Sequence, residues 1–183
     1  ELTELLNPCQ DMADLLTDIE KFGDLAGRKL AYIGDGNNMV HSLMYGGAKV
    51  GMHVTCACPA GYEPDPEVVA AARADGAATG AKMDVVRDPK EAVRGADILY
   101  TDVWASMGQE AEREKRVRDF QGYQINAELV GMANPDCIVM HCLPAHRGEE
   151  ITDDAADGAH SVLWDEAENR LHAQKAILAL TMS

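Results

Sequence analysis

Strand-length apolar runs that alternate with helix-length segments constrain this chain more than any other feature. "KLAYIG" at 29–34 precedes a helical stretch at about 38–49, "HVTCAC" at 53–58 precedes "DPEVVAAARADGAATG", and "KMDVVR" at 82–87 precedes the brief "DPKEAVRG". "DILYTDVW" and "DCIVMHCL" read as the fourth and fifth strands, with "QEAEREKRVRDF" and "NAELVGMA" as helices between them. Runs this short and this apolar fit strands covered on both faces. The alternation therefore predicts an α/β domain, a Rossmann-like doubly wound, mainly parallel sheet with helices on both faces. A short sixth strand, "SVLW", and a closing helix at about 166–180 complete the reading. Glu112 with Arg116 and Glu114 with Arg118 stand four apart, so that segment is read as a solvated helix face. The helix at about 11–21 has no strand before it, and 1–22 reads as an element joined to something upstream. With no internal repeat or linker, 1–183 is taken as a single domain.

The formal charge of -15, from 31 acidic and 16 basic residues, would repel phosphate backbones and anionic lipid, so nucleic acid and membrane partners are not expected. No run approaches the ~20 apolar residues of a spanning helix. Five cysteines, an odd number in a chain of ordinary globular composition, point to free thiols in a reducing, cytoplasmic compartment. Cys56 and Cys58 alternate on a strand and are expected to share one face as small buried apolar residues. The first residue is Glu1, and the chain is read as a piece of a longer protein.

Ligands of open parallel sheets collect outside the carboxyl ends of the strands. Three unusual loops fall there: "GDGNN" after strand one, "TDVWASMGQE" after strand four and "HCLPAHRGEE" after strand five. They are expected to converge on one pocket. Structural alternatives stand beside each: Gly34 and Gly36 can serve a tight turn, Asp102 can cap a helix, and Ser106 with Gln109 fits a capping box. A dinucleotide site fails at Met39, where a third glycine is needed, and at 55–58, which offers no carboxylate for a ribose. His141, Cys142 and His146 match no metal-ligand spacing, so neither metal nor cofactor is expected. Cys142 as a nucleophile with His141 as base is awkward, since neighbours on a strand project to opposite faces.

"HCLPAHRGEE", "DVWASMGQE", "GDGNN" and "DEAENRLHAQKA" resemble the ornithine carbamoyltransferases, and "HCLP" points to ornithine over aspartate. The resemblance covers essentially the whole chain as that family's ornithine-binding, C-terminal domain, with 1–22 an inter-domain helix segment. It implies transfer of the carbamoyl group of carbamoyl phosphate to the δ-amine of ornithine, giving citrulline and phosphate. Asn38 would hold the α-carboxylate of ornithine with the Met107 backbone, Asp102 and Ser106 its α-amino group, and Cys142 would lie by the δ-amine. The backbone of Cys142 and Leu143 would meet the carbamoyl group, Arg170 would stabilise charge on carbamoyl phosphate, and "NPCQ" looks like the family's carbamoyl-binding "HPCQ". Asn7 stands where a histidine is usual, and an amide cannot carry its positive charge; Gln10 keeps its amide. The family's phosphate-binding "STRTR", from an N-terminal carbamoyl phosphate domain, appears nowhere in these residues. The resemblance thus implies a chain inactive alone and a whole enzyme that is homotrimeric. A non-catalytic amino-acid-binding or regulatory domain, and a carbamoyltransferase for another amine such as putrescine, remain open.

Overall fold

The computed structural model describes residues 3–105 and 112–182, so Ser106 and Met107 lie outside the described residues. Five parallel strands form the sheet in the order β3-β2-β1-β4-β5, with β1 at Lys29–Ile33, β2 at His53–Ala57, β3 at Met83–Val86, β4 at Ile98–Thr101 and β5 at Ile138–His141. The doubly wound α/β reading is right. Strand period sorts the core into two clusters. Leu30, Tyr32, Val54, Cys56, Tyr100 and Met140 pack towards α2 (Asn38–Val50) and α3 (Pro66–Thr79). Ala31, Ile33, Leu99 and Val139 pack towards α4 (Pro89–Val93), α6 (Ala127–Met132) and α7 (Asp153–Ala156). Cys56 and Cys58 share the first cluster, as expected.

Two expectations need correction. "SVLW" is not a strand: Ser161 makes one isolated bridge to Val139, and Leu163 opens α8 (Leu163–Thr181). Helical pairing won because the residues after Val162 continue into a long helix. Nor is α5 (Arg113–Asp119) a purely solvated face. Arg116 is buried, and its Nη1 donates to Asp35 Oδ2 at 2.7 Å and to the Trp104 carbonyl at 3.0 Å. A four-residue charge spacing on a helix cannot reveal a partner that lies on another loop.

Gly36 has a structural reason of its own. A Cβ there would lie 2.2 Å from Pro64 N, and the Gly36 amide donates to the Tyr62 carbonyl at 2.9 Å. Only glycine lets the loop after β1 come this close to the loop before α3.

The first helix, α1 (Pro8–Phe22), buries Asp11, Asp14 and Asp18, spaced three and four apart on one face. Both oxygens of Asp18 lack a hydrogen-bond partner. Burial first, then the charges of Asp14 and Asp11, pushes the Asp18 carboxyl well above the usual range. Burial, then Asp14, does the same to Asp11. The unfolded chain releases these protons near pH ~3.9 while the folded chain keeps them, so stability falls as pH rises from there through the raised values. Asp18→Leu is expected to add about 1–3 kcal/mol at neutral pH by removing an unsatisfied buried group. Asp18→Asn, which keeps an unsatisfied amide, is expected to gain less while flattening the pH dependence alike. Urea unfolding at about pH 5 and about pH 8 measures both; an unchanged pH slope in Asp18→Asn refutes the assignment.

Candidate active site

The registers Ile33↔Thr101 and Thr101↔His141 bring the ends of β1, β4 and β5 level. Gly34, Asp102 and Cys142, the next residues, therefore leave the sheet side by side, where the strand order reverses. Asp102 is buried and densely bonded. Its Oδ1 accepts from the Val103 amide at 2.7 Å and from the Cys142 thiol at 3.1 Å, and its Oδ2 accepts from Asn37 Nδ2 at 2.7 Å. Asn37 is itself held as the N-cap of α2: its Oδ1 accepts from the Met39 amide at 3.0 Å and from the Tyr32 hydroxyl at 3.2 Å. Burial, then the charge of Asp102 and the hydrogen bond to it, pushes the Cys142 thiol well up. At neutral pH it is a neutral donor, not a thiolate nucleophile.

His141 gives Cys142 no base. Its Nδ1 accepts from the Leu143 amide at 2.9 Å, which leaves the ring proton on Nε2, 3.1 Å from Glu150 Oε1. The same amide contact braces Leu143, which sits at φ 54 before a cis Leu143–Pro144 peptide. A leucine in the left-handed region is sparsely populated, and such outliers cluster at ligand-binding backbone. Asp102, His141 and Cys142 bring ligand-type atoms within 4.8 Å of one another. Both ring nitrogens are nevertheless engaged with Leu143 and Glu150, and the thiol proton with Asp102. In the second such group Glu150 accepts from His141 and from the His146 amide, while Glu149 pairs with Arg113.

Below this loop lies a buried polar knot joining α1, β4, β5 and α8. Gln10 Nε2 donates to Asp14 Oδ1 at 2.7 Å and to Glu166 Oε1 at 3.1 Å, and Arg170 Nη1 donates to Gln10 Oε1. The Tyr100 hydroxyl is 3.0 Å from Asp14 Oδ2 and 3.1 Å from Glu166 Oε1, and Glu166 Oε2 accepts from the His141 amide at 2.9 Å. The Gln10 N–H groups are thus spent inward, and its oxygen is what faces Arg170.

The predicted residues fall into two groups. Asp102 with Cys142, and Gln10 with Arg170, meet as pairs, and Leu143 follows Cys142 in the same loop. Asn38 does not join them; its amide donates to the Thr3 carbonyl at 2.8 Å. Asn7 also stands apart, its Nδ2 donating to Met39 Sδ at 3.2 Å and its backbone amide to Ser42 Oγ at 2.7 Å. Sequence reasoning missed Asn37, for which an asparagine immediately before a helix was the available signal. It missed Asp14 and Glu166 too, although Gln10 with Asp14 and Glu166 with Arg170 each stand four apart on a helix. A cavity of about 540 Å³ opens beside the site, lined by Asp35, Asn37, His41, Tyr62 and Arg116 among others. Asp102 and Cys142 are not among its lining residues; Asn37 joins the two regions through its amide. No helix among the described residues is long and apolar enough to cross a membrane.

Comparison with known proteins is direct. The family described as "Aspartate/ornithine carbamoyltransferase, Asp/Orn binding domain" matches residues 26–181. An ornithine carbamoyltransferase of Symbiobacterium thermophilum is 61% identical over 182 residues, which is 100% of this chain and 59% of that protein. The crystal structure of ornithine carbamoyltransferase from Gloeobacter violaceus superposes with a TM-score of 0.93 at 56% identity, covering 100% of this chain and 61% of that one. Ornithine carbamoyltransferase from Pyrococcus furiosus gives 0.94 at 55% identity, covering 98% and 57%. The chain spans less than two thirds of the length of each of these relatives.

Proposed function

The chain belongs to the aspartate/ornithine carbamoyltransferase family through its Asp/Orn-binding domain, and on that premise we propose that it is the ornithine-binding half of a carbamoyltransferase. The reaction joins the δ-nitrogen of ornithine to the carbamoyl carbon and breaks that carbon's bond to the phosphate oxygen. The amine's proton departs with phosphate, and citrulline remains. The observation that carries this reading is the pairing of Asp102 with the neutral Cys142 thiol at adjoining strand ends.

Asp102, whose two oxygens both accept, suits the α-ammonium of an amino acid. Asn38, at the N-terminus of α2, suits the α-carboxylate, which the helix dipole also favours; Ser106 and the Met107 backbone are assigned to the same end of ornithine. A δ-amine with pKa near ~10.4 costs roughly 4–5 kcal/mol to deprotonate at neutral pH. A protonated thiol can orient that amine without adding an anion that would hold it as ammonium. The Cys142 and Leu143 backbone meets the carbamoyl group, and the Gln10 oxygen can accept from its –NH2. Arg170 faces the developing negative charge on the oxygens. Asn7 supplies no charge, so polarisation of the carbonyl falls to Arg170 and to groups outside this chain.

Those groups belong, in this reading, to an N-terminal carbamoyl phosphate domain and a homotrimeric whole enzyme. Met12 and Ile19 on α1, and Trp164, Leu171 and Leu178 on α8, are large apolar side chains left 48–61% exposed on two helices that pack together. Exposed apolar residues repeated along paired helices support a further protein surface over them.

Isothermal titration tests the amino-acid assignment on the chain as it stands. Ornithine is expected to bind weakly, and putrescine, which lacks the α-amino acid end, at least ~10-fold more weakly. Asp102→Ala is expected to cost a further ~10- to 100-fold in ornithine affinity, the worth of one charge-assisted hydrogen bond. Equal affinity for the two amines, or indifference to Asp102→Ala, refutes the reading.

A further inference from the structure

We propose, resting on the reading of Gln10 and Arg170 as carbamoyl phosphate ligands, that the buried Asp14 and Glu166 form a carboxyl pair that keeps one proton between them and acts as the positioning element for those two residues. Neither acid belongs to the set of ligands assigned above. Both are buried, at 0% and 1% exposure, and both touch the same two donors, Gln10 Nε2 and the Tyr100 hydroxyl. Two carboxylates that share partners in this way do not both ionise at so buried a site.

The charges around the pair set its working state. The charge of Arg170 on α8 lowers Asp14, and Asp11 and Asp18 lie along α1 on the same side of the helix. From β4 comes the Tyr100 phenol and from the loop after β5 the Cys142 thiol, both held neutral by burial and by the nearby acids. A pair with one proton carries a single negative charge, which the Arg170 guanidinium matches. Burial brings Asp14 up to about 7, against the lowering effect of hydrogen bonds from Gln10, Glu166 and Tyr100 and the charge of Arg170; burial and Asp14 hold Glu166 well above the usual range.

The geometric consequence falls on Gln10. An amide is free to present either end, and here both N–H groups are drawn inward by acceptors on two carboxyls. Its oxygen is therefore turned to Arg170, and the guanidinium is anchored by that oxygen. When Asp14 gains a second proton for the pair, one of those inward acceptors weakens, and the amide loses its reason to point one way. The pair thus couples the orientation of the carbamoyl-binding amide to pH near neutrality.

Carboxyl ¹³C and side-chain amide ¹⁵N–¹H spectra of the 183-residue chain, titrated through about pH 7, read this without substrate. One step near neutrality is expected, shared by the Asp14 and Glu166 carboxyl carbons and by the Gln10 amide protons. Glu166→Gln, which mimics the protonated acid, is expected to keep the Gln10 step and its hydrogen-bonded shift. The double variant Asp14→Asn with Glu166→Gln is expected to abolish the step with the far-ultraviolet dichroism unchanged. Independent titration of both acids in the ordinary carboxylate range overturns the proposal, as does a Gln10 step that survives in the double variant. Failure of ornithine to bind would sink the carbamoyltransferase reading and leave these spectra unaffected, so the two can fail separately.

Discussion

The isolated 183-residue chain is expected to form no citrulline from ornithine and carbamoyl phosphate above the uncatalysed rate. The reason is the division of labour in the site. In the proposed reading Asp102 and Cys142 handle an amine, while the charged leaving group meets Arg170, in a chain whose net charge is -15. Holding two reactants in line can be worth ~10⁵–10⁸ M in effective concentration, and losing a single preorganised donor costs ~10²–10³ in rate. In that reading the arginine-rich phosphate clamp lies on another segment, and the 183 residues tested without it forfeit several donors and the alignment together. A steady-state citrulline assay decides it, first on the chain alone and then on the chain joined to a segment that carries the arginine motif. Turnover only in the second is expected; clear turnover in the first, abolished by Asp102→Ala, would show that these residues hold a complete site.

Arg116→Ala is expected to destabilise the fold by about 3–5 kcal/mol, the cost of stripping one partner from a buried ion pair. In a domain of this size that lowers the melting temperature by roughly 6–20 °C. The side chains of Arg116 and Asp35 are only 9% and 10% exposed, and the guanidinium also reaches the Trp104 carbonyl and stacks 5.0 Å from the centre of the Tyr62 ring. Burial already raises the Asp35 carboxyl, and Arg116 is what holds that rise down. Without it the carboxyl rises further, so the loss grows as pH climbs through the already raised value that Asp35 has in the intact protein toward the higher one in the variant, and shrinks in acid, where both proteins hold the proton. Pairing Arg116→Met with Asp35→Leu is expected to recover most of the stability, because well-packed apolar residues can replace a buried ion pair at little cost. Denaturant unfolding of the single and double variants measures the coupling, and a single-variant loss below about 1 kcal/mol would return Arg116 to the solvated face its spacing suggested.

The five parallel strands, their two-faced burial and the edge where the loops meet were legible because strand and helix periods are local properties of the chain. "DILYTDVW" and "DCIVMHCL" even located Asp102 and Cys142 within a residue or two of the strand ends. Motif resemblance carried the rest of the site reading as far as residue names, and Gln10 with Arg170 did meet across 160 positions of sequence.

What the amino-acid order determined by itself was the alternation of elements, the parallel sheet and the loops that gather at its carboxyl edge, since each depends on neighbours a few residues apart. Tertiary structure alone decided that Asn37 and not Asn38 bonds to Asp102, that Arg116 turns inward to Asp35, and that Asp14 and Glu166 close on one amide. Each of these needs at least one contact between side chains from different elements. Its energy comes from burial and from a partner's charge, and neither quantity exists until the chain has folded around it.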